Sequence, residues 1–278
     1  AALESREAQR SVLTADSSND IVAHYRLASR RLLVLDYDGT LMPHSNEPSS
    51  VVPDDALTDQ LKLLRQDSAN TIVILSGRSK ADLDRFFARS RLVLASEHGA
   101  WVKGVVGSSW RGTFGEIDMT WKDEVRSAMR SAVVKIPGSW LEEKDYSLVW
   151  HYRRSDSESA DLAAKDLIFY LLTMLGDHPV RIVPGSRSIE VRAFPIGKGA
   201  FLKREFDLSS FDFVFCAGDD LTDEEMFSAL SAPAYTMKVG MGHSKARFRA
   251  HDHLDLRRLL SRFVNESARS DARAETVN

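Results

Sequence analysis

At 278 residues, with 43% hydrophobic and 9% aromatic side chains, the chain can bury about three quarters of its unfolded surface, enough for one large domain or two smaller ones. Lys and Arg number 37 against 40 Asp and Glu, a net charge of -3, so no whole-chain field draws it to nucleic acid or to an anionic membrane. The single cysteine, Cys216, rules out an internal disulfide framework, and no apolar run approaches the roughly 20 residues of a membrane span.

Taken in chain order, the opening stretch "AALESREAQR" lacks a signal-peptide core, which favours a cytoplasmic setting, and it begins without Met, as a fragment would. Residues 1–26 read as a lead-in or linker. Four short apolar runs then stop abruptly at polar residues: "LLVL" before Asp36, "TIVIL" before Ser76, "LVLA" before Ser96 and "FVFCA" before Gly218. Unbroken runs of this kind predict parallel strands buried on both faces. Helical patterns lie between them, with Leu57, Leu61 and Leu64 on one face and Leu83, Phe86 and Phe87 on another. Strand and helix therefore alternate, which predicts a doubly wound, Rossmann-like parallel α/β sheet over residues 27–117 and 194–264. The ligand crevice of such a sheet lies at the carboxyl ends of its strands.

Residues 118–193 have a different texture. Trp121, Val125, Met129 and Val133 repeat every four residues, "YSLVWHYR" reads as a strand, residues 160–175 as an apolar helix, and "SIEVRAF" alternates like a half-buried strand. This segment is an inserted α+β unit, expected to fold as a cap over the crevice. The polar stretch 265–278 is expected to be disordered.

Asp36 and Asp38 stand two residues apart at a strand end, so both can address one ligand from the same side. An ionised carboxylate can attack an electrophile without a general base if its repulsion from an anionic substrate is cancelled. A divalent metal does this. "GDDLTDEE" supplies Asp219, Asp220 and Asp223 after another strand, and hard oxygen ligands at a phosphate-sized site point to Mg²⁺.

The order of "DYDGT", Ser76, Lys198 and "GDDLTD" resembles the four motifs of the haloacid dehalogenase superfamily of phosphotransferases. The stretches "LDYDGTLMP", "ILSGRS", "ASEHGAW", "DMTWKDEV", "LEEKDYSLVWHYR", "SIEVRAFPIGKGA" and "CAGDDLTDEEMF" are similar to the trehalose-6-phosphate phosphatases, most of all the fungal type, over residues 22 to about 240. The resemblance implies a haloacid dehalogenase core with an inserted cap, and hydrolysis of trehalose 6-phosphate to trehalose and phosphate, the last step of trehalose biosynthesis. It implies that Asp36 is the nucleophile that becomes an aspartyl phosphate, and that Asp38 is acid to the leaving oxygen and then base to water. Mg²⁺ would be held by Asp36, the Asp38 carbonyl and Asp219, with Asp223 supporting this shell or orienting Lys198. Thr40, Ser76, Gly77, Arg78 and Lys198 would line the phosphate.

The core sees only phosphate, so the cap has to read the sugar. By resemblance Glu142, Lys144 and Glu190 would grip the glucose that carries no phosphate, with Arg153 near the phosphorylated end; the adjacent Glu143 leaves open which glutamate faces the sugar. His98 and His151 lack partners at metal-ligand spacing and read as structural. Two other readings remain: a phosphatase of a related sugar such as sucrose 6-phosphate, against which the cap stretch argues, and a catalytically silent regulatory domain of a trehalose-synthesis complex, against which the intact set of Asp36, Asp38, Ser76, Lys198, Asp219 and Asp223 argues. "IVAHYRLASRRLLVLDYDGTL" resembles the junction at which fungal bifunctional proteins pass from a glucosyltransferase-like domain into the phosphatase, which implies a C-terminal part linked to a synthase domain.

Overall fold

Each apolar run that stops at polar residues forms a buried strand in the computed structural model, which describes residues 11–45, 50–87, 90–104, 108–230 and 233–275. The chain divides into two units, one made of the chain up to Thr113 and from Lys198 onward, the other of Phe114–Gly197. The first unit runs β1 (Ser11–Val12), α1 (Ala15–Leu27), β2 (Arg31–Leu35), α2 (Asp55–Gln66), β3 (Asn70–Leu75), α3 (Lys80–Phe87), β4 (Val93–Ser96), β5 (Trp101–Lys103) and β6 (Arg111–Gly112). The second unit contains α4 (Lys122–Lys135), β7 (Trp140–Glu143), β8 (Ser147–His151), α5 (Ser157–Leu175), β9 (Val180–Gly185) and β10 (Ser188–Ala193). The first unit then resumes with α6 (Lys198–Glu205), β11 (Phe213–Gly218), α7 (Leu221–Ala229), β12 (Tyr235–Val239), β13 (Phe248–Ala250) and α8 (His253–Glu275).

The large sheet has the order β1-β13-β12-β11-β2-β3-β4-β5-β6. It is parallel from β1 to β4, and β5 and β6 extend it as an antiparallel edge. β2 lies between β3, which follows it through α2, and β11, which comes from the far part of the sequence. Its carboxyl end is therefore the point at which the winding changes direction, the usual ligand position of a doubly wound sheet.

Alternation along β2 feeds two cores. Leu33 and Leu35 pack with Leu57, Leu61 and Leu64 of α2 and with Leu256, Leu260 and Phe263 of α8, whereas Leu32 and Val34 pack with Phe201 and Leu202 of α6 and Met226 and Phe227 of α7. Burying each such side chain contributes about 1.5–3 kcal/mol. Both faces of the sheet are covered along Leu32–Leu35, which is why this run is apolar up to Asp36.

Two expectations are corrected. Over residues 15–26 the expected lead-in is helix α1, capped by Thr14 and burying Ile21, Val22 and Tyr25 in the core; residues 1–10 lie outside the described residues. The stretch expected to be disordered from residue 265 remains helical through Glu275. Its Ala, Arg and Glu residues are good helix formers, so its polar composition is compatible with a helix.

In the second unit β7-β8-β10-β9 form an antiparallel sheet. Leu148, Trp150, Ile189 and Val191 are buried, and the pairs Leu141↔Trp150 and Trp150↔Ile189 set them on one face by register. The alternate positions form the opposite face, which carries Glu142, His151, Glu190 and Arg192 beside Trp140 and Val149, hereafter the polar face.

Candidate active site

The loop after β2 begins with Asp36, whose N–H still donates to the Ala217 carbonyl of β11 at 3.1 Å. The chain then turns, with the Leu41 N–H donating to the Tyr37 carbonyl at 3.0 Å. Gly39 holds φ at +78°, and a Cβ there would lie 2.3 Å from Asp219 Oδ2, so both conformation and space require glycine. This turn brings the carboxylates of the β2 and β11 ends together.

Asp36 is buried, and its Oδ1 accepts from Lys198 Nζ at 2.6 Å while its Oδ2 accepts from the Thr40 hydroxyl at 3.1 Å. Lys198, the first residue of α6 and only 2% exposed, also donates to Asp223 Oδ1 at 2.7 Å. The other oxygen of Asp223 accepts the Asp219 and Asp220 N–H groups at 2.8 and 3.0 Å. Asp220 caps α7, taking the Thr222 N–H at 2.8 Å, which orients the whole "GDDLTD" turn. Asp219 accepts from Thr40 at 2.9 Å through Oδ1 and pairs with His44 Nε2 at 2.7 Å through Oδ2. Lys238 donates to the Asp219 carbonyl.

On the other side of β2, Ser76 follows directly after β3, its N–H donating to the Ala95 carbonyl at 3.0 Å, and its hydroxyl accepts the Arg78 N–H at 3.2 Å. Gly77 is closely covered, since a Cβ there would meet His98 Cε1 at 2.8 Å. Arg78 forms a fork on Asp38, Nε to Oδ2 at 2.7 Å and Nη2 to Oδ1 at 2.6 Å. Expected to face phosphate, Arg78 is engaged here with the second aspartate.

The electrostatics follow from gathering four carboxylates around one ammonium, with Asp36, Asp223 and Lys198 buried. Burial pushes the Asp36 carboxyl well above the ordinary carboxylate range, and Asp223, Asp219 and Asp220 push it further, against the pull of Lys198. Burial likewise raises Asp223 to about 7. Burial alone would depress Lys198, but Asp223 and Asp36 outweigh it and hold the ammonium well above its usual range. Crowding among the cluster's side chains would raise Asp220, but Lys198 and the Thr222 hydroxyl outweigh it and hold it at about 2. The cluster is short of positive charge.

Asp36, Asp219 and Asp223 can each offer an oxygen, all within 4.8 Å of one another. An oxygen-only donor set with excess negative charge fits a hard divalent cation. Within this set Asp223 bonds Lys198 and two backbone N–H groups, Asp36 bonds Lys198 and the Thr40 hydroxyl, and Asp219 bonds Thr40 and His44. Lys198 is thus held between Asp36 and Asp223, and Asp219 lies on the far side of Thr40 from it.

In the second unit Glu142, Val149 and Glu190 stand in one cross-strand row on the polar face of the sheet. Lys144 Nζ lies 3.6 Å from Glu142 Oε1, so this candidate trio shares a face. Glu143 points the other way, where both its oxygens accept from Arg126 of α4 at 2.8 Å, and Arg126 first and then Lys122 hold it down at about 2. Strand alternation and this fork settle which glutamate is on the polar face: Glu142. Arg153 is separate, donating to the Ser186 carbonyl in the β9–β10 turn at 2.7 Å.

The trehalose-phosphatase family model matches residues 34–253 of the chain. The chain belongs to the trehalose-phosphatase family. A bifunctional trehalose-6-phosphate synthase/phosphatase of Thermoproteus tenax is 38% identical over 244 residues, covering 88% of this chain and 33% of that protein. A trehalose-phosphatase of Schizosaccharomyces pombe is 38% identical over 220 residues, 78% of this chain and 26% of that one. The C-terminal domain of the trehalose-6-phosphate phosphatase of C. albicans superposes with a TM-score of 0.83 at 29% identity, covering 92% of this chain and 98% of that domain. The chain thus spans about a third or less of these two curated relatives. The span matched by the trehalose-phosphatase model includes every candidate site residue from Asp36 to Asp223.

His44 and Lys238 beside the acidic cluster and Arg192 on the Glu190 face of the small sheet are not among the residues expected from sequence, and His151 is expected there only as a structural residue. Arg192 had a signal, since it follows Glu190 by two residues and must share its face. His44 had none, because its partner is 175 residues away.

Proposed function

We propose that the chain is a Mg²⁺-dependent phosphomonoesterase that hydrolyses trehalose 6-phosphate through an aspartyl phosphate on Asp36. The observation that carries this reading is the contact of a buried aspartate, Asp36, with a fully buried lysine at 2.6 Å, two residues from a second aspartate at the switch point of the sheet, in a chain of the trehalose-phosphatase family.

An Asp36 oxygen attacks phosphorus as the bond from phosphorus to the sugar oxygen breaks, and Asp38, protonated, gives its proton to that leaving oxygen. Water then loses a proton to Asp38 and its oxygen attacks the same phosphorus, releasing phosphate and restoring the Asp36 carboxylate. Lys198 neutralises charge at the reacting centre as a point cation held by Asp223. Asp38 has to leave Arg78 before it can act as an acid. A phosphate arriving at Arg78 offers that fork a competing bidentate partner, which couples substrate arrival to release of Asp38. Ser76, Thr40 and the Gly77 backbone complete the phosphate cradle. Magnesium suits the carboxylates of Asp36 and Asp219, and when bound it supplies positive charge against the phosphoryl oxygens.

Glu142, Lys144 and Glu190 read the sugar, because carboxylates and an ammonium on one face can accept and donate several hydrogen bonds to hydroxyls. Arg153 serves the phosphorylated end. The chain works beside a trehalose-6-phosphate synthase activity that supplies its substrate. Phosphate release should be measured on trehalose 6-phosphate, sucrose 6-phosphate and glucose 6-phosphate, with and without Mg²⁺. The expected result is Mg²⁺-dependent release with a clear preference for the first. Equal rates on all three would remove the sugar assignment, and no release from any would make the domain a silent one.

A further inference from the structure

His151, which sequence alone marks as a structural histidine, touches the carboxylate proposed to read the sugar. Its Nε2 lies 2.8 Å from Glu142 Oε2, across the β7–β8 ladder in which Trp140 faces His151 and Glu142 faces Val149. An ionised carboxylate only accepts, so Nε2 carries the hydrogen and donates. Burial would raise the Glu142 carboxyl, but the bond from His151, then Lys144, overcome this and hold it below its usual value, which keeps it ionised. The histidine is itself held, because its ring stacks on Trp140 with centroids 4.7 Å apart and planes 14° from parallel. The Arg154 guanidinium lies over the Trp140 ring at 5.6 Å.

Glu142 is thus gripped from two directions, by His151 at Oε2 and by Lys144 at 3.6 Å from Oε1. A glutamate on a strand has three rotatable bonds, and fixing it before a ligand arrives removes an entropic cost from binding. We infer that His151, backed by the Trp140 ring, is a positioning residue that pre-sets Glu142 for sugar hydroxyls and so sets affinity for the disaccharide. This inference rests on the proposed sugar-reading role of Glu142 and adds a residue to it. The same logic orients ligands in metal sites, where an outer partner fixes the group that makes the contact.

The test is a double-mutant cycle on the whole chain, with KM and kcat for trehalose 6-phosphate read separately and folding followed by thermal melting. His151→Phe keeps a flat ring to stack on Trp140 and deletes the donor. It should raise KM about 5–10-fold with kcat changed less than twofold, the signature of lost ground-state positioning. His151→Gln restores an N–H donor and should recover most of the loss. In a Glu142→Ala background, His151→Phe should add nothing. A full further loss in that background would overturn the inference while leaving the sugar reading intact, and so would a Gln variant as impaired as Phe. A Glu142→Ala variant with unchanged KM would overturn the sugar reading and this inference with it.

Discussion

Removing the charge of Lys198 while keeping its stem, as in Lys198→Met, tests the acidic cluster in depth. The ammonium is 2% exposed and bonds two buried carboxylates, Asp36 at 2.6 Å and Asp223 at 2.7 Å. Losing one member of a buried ion pair costs about 3–5 kcal/mol, because the partners keep their desolvation without their counter-charge. For a unit of this size each kcal/mol corresponds to roughly 2–4 °C in Tm, so the melting point should fall on the order of 10 °C. The sign with pH follows from the raised carboxyls. Asp223 is already pushed up to about 7 and Asp36 is raised well above its ordinary value of 3.8, and without the ammonium both rise further. A carboxyl raised in the folded state contributes stability that is present below its unfolded pKa and is lost as pH rises through the folded one. The deficit should therefore be small at pH 5.5, where the pair can hold a proton, and largest at pH 8. Calorimetry of wild type and variant in chelator at both pH values measures it. An unchanged Tm at pH 8, or a deficit that shrinks as pH rises, would refute the reasoning.

Excess chelator should abolish phosphate release, and added Mg²⁺ should restore it, because unneutralised Asp36 and Asp219 repel a dianionic substrate; full activity in chelator would remove the metal assignment. Glu142→Ala, Lys144→Ala and Glu190→Ala should each lower kcat/KM for trehalose 6-phosphate by about 10–100-fold, the loss of a hydrogen-bonding group in a desolvated site. Parallel measurement on a small aryl phosphate, which makes no sugar contacts, should show much smaller losses. Equal losses on both substrates would mean that these residues hold the fold. Glu143, depressed to about 2 by Arg126 and Lys122 from an ordinary value of 4.5, contributes stability present above that ordinary value and lost as pH falls through the depressed one. Tm should therefore differ between wild type and Glu143→Gln at pH 6, with the gap closing toward pH 2; the effect is small because the pair is exposed.

The parts of this arrangement written in local sequence were legible there. Asp36 and Asp38 follow an apolar run at strand spacing, Leu57, Leu61 and Leu64 mark α2, and Glu190 sits on an alternating strand. Contacts that depend on which strand ends become neighbours were not. The fork of Arg78 on Asp38 spans 40 positions, and Lys198 reaches Asp36 across 162. The choice between Glu142 and Glu143 needed Arg126 on a neighbouring helix. The lead-in failed for a different reason: α1 has a weak apolar pattern, yet Ile21, Val22 and Tyr25 all find the core. Composition reports average polarity, and three well-placed side chains are enough to dock a helix.

The central claim is that Asp36 itself becomes phosphorylated. Wild-type chain and Mg²⁺ should be mixed with trehalose 6-phosphate carrying labelled phosphorus, quenched in acid within the first turnover, digested and mapped by mass spectrometry. The account predicts labelled phosphate on the peptide containing Asp36, present in wild type and absent from Asp36→Asn, whose turnover should fall on the order of 10³-fold or more. Release of phosphate with no label on the chain, label on another residue, or near-normal turnover by Asp36→Asn would contradict it.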